Sequence, residues 1–75
     1  MTEFRDGGAR TTKIGYVNRN DQECGGHRGF AGTDHNQVAY RMECLHCGHV
    51  YGANGSDVFE RKCPECQGGV AGIEF

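Results

Sequence analysis

Hydrophobic and polar positions alternate most regularly from Val38 to Glu43. Val38, Tyr40 and Met42 fall on one face, and Ala39, Arg41 and Glu43 on the other. That is the period-two pattern of a strand with one buried side. Asn54-Gly55, a strong hairpin-turn signal, lies between Val50-Tyr51 and Val58-Phe59 and predicts a hairpin there. Val70 to Phe75 reads as a short last strand. Upstream, Lys13 to Asn18 is predicted to be a strand with Ile14 and Tyr16 on one face, and Gln22 to Cys24 its return strand. The turn between them is Asn18-Arg19-Asn20-Asp21, since Asn and Asp tolerate positive φ and bond their own backbone. Gly25 to Asn36 carries Gly25, Gly26, Gly29 and Gly32 and no apolar period. It is expected to be a loop, long for so short a chain, and loops of that kind usually carry function. No window combines helical periodicity with caps at both ends.

Size changes the meaning of this pattern. The chain has 75 residues, of which 36% are apolar and 9% aromatic, with no Trp. A core of that size rarely supplies more than about 3–5 kcal/mol of net stability. Its 13 glycines add backbone entropy that folding must remove. The fold therefore needs a staple: disulfides, a metal or a partner. The formal net charge of −2 argues against a dedicated, strongly basic nucleic-acid binder but excludes no local contact. No apolar run approaches the roughly 18 residues of a membrane span, and the first residues do not resemble a signal peptide. A cytoplasmic location is expected, where paired cysteines serve as metal ligands rather than disulfides. Residues 1–12 are polar and expected to form a flexible N-terminus. Residues 13–75 are expected to form one domain, with a hairpin and loop over 13–36 and the cysteine-bearing ribbon over 37–75.

The staple is visible in the cysteines. Cys44-x₂-Cys47 and Cys63-x₂-Cys66 are separated by 15 residues, within the spacing of four-cysteine zinc sites. Two intervening residues let one tight turn aim both thiolates at a point, and tetrahedral zinc takes four sulfurs at about 2.3 Å. Fifteen residues suffice for two short strands and a turn that return the second pair to the first. Gly48 follows Cys47 where the chain leaves the first turn, and Pro64 pre-sets φ in the second. Gln67 stands at the place matching Gly48, and Gly68-Gly69 come one residue later. One Zn²⁺ on Cys44, Cys47, Cys63 and Cys66 is expected. The rival is iron in a rubredoxin-like centre, which also accepts four thiolates. Four cysteines leave no open coordination position, so catalysis at the metal is not expected.

The run Tyr40-Arg-Met-Glu-Cys44-Leu-His-Cys47-Gly48-His49, followed by Cys63-Pro64-Glu-Cys66-Gln-Gly68-Gly69, resembles the zinc-ribbon superfamily, with rubredoxin-like knuckles. Over residues 38–70 it is similar to the short FmdB-type regulatory proteins. The resemblance implies a four-cysteine ribbon, and it departs in the 37 residues that precede the ribbon, in Gln67 and in Tyr51 to Asp57. The expected fold class is small and mostly β: a zinc ribbon of antiparallel hairpins around one four-cysteine zinc site, with an additional N-terminal hairpin and Gly-rich loop.

Other residues leave alternatives open. Cys24 and His27 form a C-x₂-H pair, with His35 nearby; a second metal site and a free thiol beside solvated histidines both fit the sequence. His46 and His49 flank Cys47 without being needed as ligands. Arg10, Lys13 and Arg19 surround Tyr16, either as an ordinary solvated face or as a surface for a nucleic-acid backbone and a stacked base. Loops on a rigid scaffold usually carry binding residues, so Tyr16, Arg19, Arg28 and Phe30 are the candidate partner contacts. The expected function is a non-catalytic structural-zinc module acting as a protein adaptor or accessory subunit. A nucleic-acid-binding or regulatory ribbon is the alternative, and an iron electron carrier is the third reading. A protein partner is expected, with no membrane and no small-molecule substrate.

Overall fold

The computed structural model describes residues 4–32 and 37–75. Three antiparallel strands form one sheet in chain order: β1 (Gln22–Ala31), β2 (Val38–Cys44) and β3 (Val50–Asn54). Two 3₁₀ turns, Arg10–Thr12 and Gly55–Glu60, flank it. β2 is the strand that the alternating residues predict. Its neighbours align so that Cys24, Met42 and Tyr51 form one row across the sheet, and His27, Tyr40 and Ala53 the next. Those rows without the half-buried His27, closed by Val58, form the core, with Tyr16 and Val38 packed against it. On the opposite face Arg41 and Glu43 pair at 3.5 Å.

Four expected elements are corrected. Lys13–Asn18 is not a strand. A turn at Lys13–Tyr16, closed by the Tyr16 N–H to the Lys13 carbonyl at 3.1 Å, shortens the extension. The expected pairing survives as the Val17–Glu23 bridge, flanked by the Cys24 N–H to the Tyr16 carbonyl and the Asn18 N–H to the Gln22 carbonyl. The turn at Asn18–Asp21 is present: Asp21 has φ 61°, and Asn18 Oδ1 accepts the N–H groups of Asn20 and Gln22.

The Gly25–Asn36 loop is a strand over most of its described part, because β1 runs on to Ala31. Its register against β2 shifts between Cys24 and His27 and again between His27 and Ala31. The glycines serve these bulges instead of a loop. At Gly26 φ is 85°, and a Cβ would stand 2.6 Å from the Arg5 carbonyl oxygen. Arg5 exchanges two backbone hydrogen bonds with His27 there, so residue 5 of the expected flexible terminus pairs with the sheet. Residues 33–36 of the expected loop lie outside the described residues.

Asn54-Gly55 does not turn a hairpin. Asn54 has φ −66° and ψ 147°, not the left-handed geometry that turn needs, and a 3₁₀ turn follows. That turn inserts Val58 fully into the core, which a return strand to β3 would not do. Of the expected last strand only Ile73 pairs, with Gly52 of β3.

Candidate metal centre

The β2–β3 connection is the first cysteine turn. Cys44 ends β2, its carbonyl accepts the Gly48 N–H at 2.8 Å, and its N–H returns to the His49 carbonyl at 2.9 Å. The second turn has no strand on either side. There the Cys63 carbonyl accepts the N–H groups of Gln67 and Gly69, and the Glu65 N–H donates to Cys63 Sγ at 3.3 Å. The left-handed residue that releases each turn is Gly48 (φ 78°) in the first and Gly68 (φ 69°) in the second. The one-residue offset is the departure that Gln67 marks in the sequence.

These turns bring the four sulfurs of Cys44, Cys47, Cys63 and Cys66 within 4.8 Å of one another. Cys44–Cys66 and Cys47–Cys63 lie at 3.6 and 3.5 Å. A tetrahedral metal with sulfurs at about 2.3 Å spaces them by about 3.8 Å, so the cluster fits one ion with small adjustments. Cys44 and Cys63 are buried, and Cys47 and Cys66 face solvent. Without a cation the thiols of Cys44, Cys47 and Cys66 hold their protons unequally. Burial would raise Cys44, but hydrogen bonds from the Gln22 side chain and the Cys47 and His46 N–H groups bring it down to about 6. Cys66 is pushed up to about 12 by desolvation and by the three neighbouring sulfurs. On Cys47 the largest single influence, the His49 N–H, acts downward, but desolvation and the Cys63 thiol outweigh it and leave the group raised. One thiolate is ready for a metal, and at least two protons must leave when it binds.

Side chains that sequence reasoning did not single out complete the site. The turn at residues 18–22 lies against the second cysteine turn. Asn18 Nδ2 donates to the carbonyls of Val58 and Arg61 at 2.8 and 3.0 Å, and Asn20 Nδ2 to those of Arg61 and Glu60. Gln67 Oε1 accepts the Cys63 N–H at 2.7 Å, which fixes the way its amide faces, and Gln67 Nε2 reaches the Asn20 carbonyl at 2.9 Å. The Gln67 oxygen then takes a donor from Gln22 Nε2 at 3.2 Å, leaving Gln22 Oε1 for the Tyr51 hydroxyl at 2.7 Å. Gln22 is 0% exposed. The only sequence trace of this network was Gln67 in place of a glycine.

The remaining candidates separate. Cys24 is a core residue, its thiol raised by burial, and His27 packs edge-on against Tyr40 at 5.2 Å. Among the described residues the Cys44–Cys66 cluster is the only group of three or more His, Cys, Asp or Glu arranged to hold a metal; His35 lies outside them. His46 turns away to Asp21 at 2.8 Å, and His49 stacks on Tyr51 at 5.7 Å. Of the four partner-contact residues, Arg28 and Phe30 come together and the other two do not. The Arg28 guanidinium lies 5.5–5.8 Å from the rings of Phe4, Phe30 and Phe75, beside an open groove of about 550 Å³ that His49 and Tyr51 also line. Tyr16 lies under Arg10 at 5.7 Å, and Arg19 faces Glu60 at 4.0 Å.

No protein-family model, curated protein or solved structure matches this chain. Among the described residues no helix is long and apolar enough to cross a membrane.

Proposed function

We propose that this chain is a small, non-catalytic binding module whose fold is held by one structural zinc ion on Cys44, Cys47, Cys63 and Cys66. The observation that carries this reading is the convergence of four sulfurs within 4.8 Å from two separate turns. Four thiolates would close the tetrahedron, leaving no position for water or substrate, which argues against catalysis at the metal. Zinc is favoured over iron by the ribbon resemblance of the two cysteine turns, including that to FmdB-type regulatory proteins. The module acts in the cytoplasm as an adaptor or accessory subunit, with Arg28 and Phe30 on its contact face. A nucleic-acid partner is the second reading, favoured by the guanidinium that Phe4, Phe30 and Phe75 surround: stacked rings and a cation suit bases and phosphates.

Elemental analysis of protein expressed without metal bias tests the metal. About one zinc per chain is expected; iron as the dominant metal, with visible colour, would transfer the reading to an electron carrier. Salt separates the two partners. Capture of nucleic acid should weaken steeply between roughly 50 and 200 mM salt, as phosphate contacts do, whereas an apolar protein contact should change little.

A further inference from the structure

The amide pair Gln22–Gln67, the first buried and the second half-buried, belongs to neither cysteine turn's ligand set yet lies against both turns. Register places Gln22 directly across the sheet from Cys44, the first ligand. Both residues are essentially inaccessible to solvent, at 0% and 1%. The two N–H bonds of the Gln22 amide are both used, one to the Asn20 carbonyl at 3.0 Å and one to Gln67 Oε1 at 3.2 Å. The same Gln67 oxygen receives the Cys63 N–H, so the strand partner of the first ligand of one turn is joined through two side chains to the first ligand of the other. A buried amide without its partners is costly, and this pair is satisfied only when both turns and the Asn18–Gln22 turn are in place.

We infer that Gln22 is a positioning residue of the metal centre: paired with Cys44 across the sheet, it fixes the Cys63 turn through Gln67 at the separation one metal ion needs. This inference rests on the proposed metal module and assigns it a third supporting segment, which lies 22 residues before the first cysteine turn. Outer hydrogen-bond partners of metal ligands orient the ligand and tune its charge. Gln22 does the first from a strand outside the four-cysteine motif. It also links metal loading to the placement of β1, whose far end carries Arg28 and Phe30.

The test uses the full chain, with zinc(II) in competition with a chelator and cobalt(II) as the spectroscopic probe. Gln22→Met keeps length and removes the donor. Its zinc affinity should fall about 10–100-fold, and its thiolate-to-cobalt charge-transfer band should shift. Gln22→Glu keeps the shape and the acceptor for Tyr51, and carries the same expectation if Gln22→Met does not fold. Tyr51→Phe removes the hydroxyl on the other side of the amide and leaves the donor, so its cobalt band should stay at the wild-type position. Wild-type affinity and band position in Gln22→Glu would overturn the inference. So would a Tyr51→Phe band shift equal to that of the Gln22 variants, because the network would then be packing alone. Failure of the wild-type chain to take up either metal would instead strike the metal module itself.

Discussion

The two cysteine turns have the same Cys-x₂-Cys spacing and are held in different ways. The first caps the β2–β3 hairpin, so backbone ladder bonds run up to Cys44 and resume at Val50. The second stands on no strand and is held by side-chain amides: Gln67 on the Cys63 N–H, and Asn18 and Asn20 on the carbonyls that lead into it. A hairpin sets its own geometry from local pairing. The second turn takes its geometry from a segment more than 40 residues away in sequence. Equal ligand motifs therefore need not imply equal supports, and the longer-range support is the one that a motif search misses.

The largest expected effect treats the turns as equal. Cys47→Ser and Cys66→Ser each remove one exposed thiolate, one from each turn. If the whole site is worth roughly 10–16 kcal/mol, each loss should be about 3 kcal/mol, or more than about 100-fold in zinc affinity. Competition titration checks this, and a variant that keeps full affinity would identify a cysteine that is not a ligand. The pH dependence has a definite sign. Cys47 and Cys66 lie above the ordinary thiol range and must lose protons to bind, so affinity should rise with pH. It should fall further below about 6, where Cys44 too becomes protonated.

A smaller effect should separate the turns. Asn18→Ala leaves the buried Val58 carbonyl without its donor and the Arg61 carbonyl with Asn20 alone, at a cost of about 1–3 kcal/mol. Amide exchange should then quicken in residues 58–69 before it quickens at the first turn. Gln67→Gly, which restores the ribbon-like residue, should loosen the second turn in the same way even though it looks like a repair in sequence. Uniform loss of protection over both turns would erase the distinction.

The smallest effect concerns the residues that release the turns. No neighbour would obstruct a Cβ at Gly48 or Gly68, so alanine there costs only the left-handed backbone, about 1–2 kcal/mol at each. Thermal unfolding of the two zinc-loaded variants should give similar shifts. A much larger loss at one would show a close contact that the structure does not contain.

How much of this was legible in the sequence follows from which interactions are local. β2 was readable because alternation is a property of consecutive residues. The four cysteines were readable because tight turns fix their spacing. β1 was readable only at its start, Gln22–Cys24; the rest was not, because its glycines serve two bulges against β2 and the close approach of Arg5, and a run of glycines reads as a loop when its partner strand is unknown. Asn54-Gly55 misled for a related reason: the core's demand for Val58 overrode the local turn preference. Gln22 and Gln67 carry no periodic or spacing signal. Their role exists only once the chain brings residues 20, 22, 44, 51, 63 and 67 to one place. The segment before residue 36, expected to carry partner contacts on a self-sufficient ribbon, also supplies the amides and carbonyls that hold the second turn.

If one metal ion on these four cysteines holds the fold, the amide NMR spectrum must change when a chelator removes zinc. A dispersed spectrum is expected with zinc, collapse to the narrow dispersion of an unfolded chain over at least residues 38–75 without it, and recovery when zinc is restored. A metal-free chain that keeps its dispersed signals would contradict a fold held by the metal.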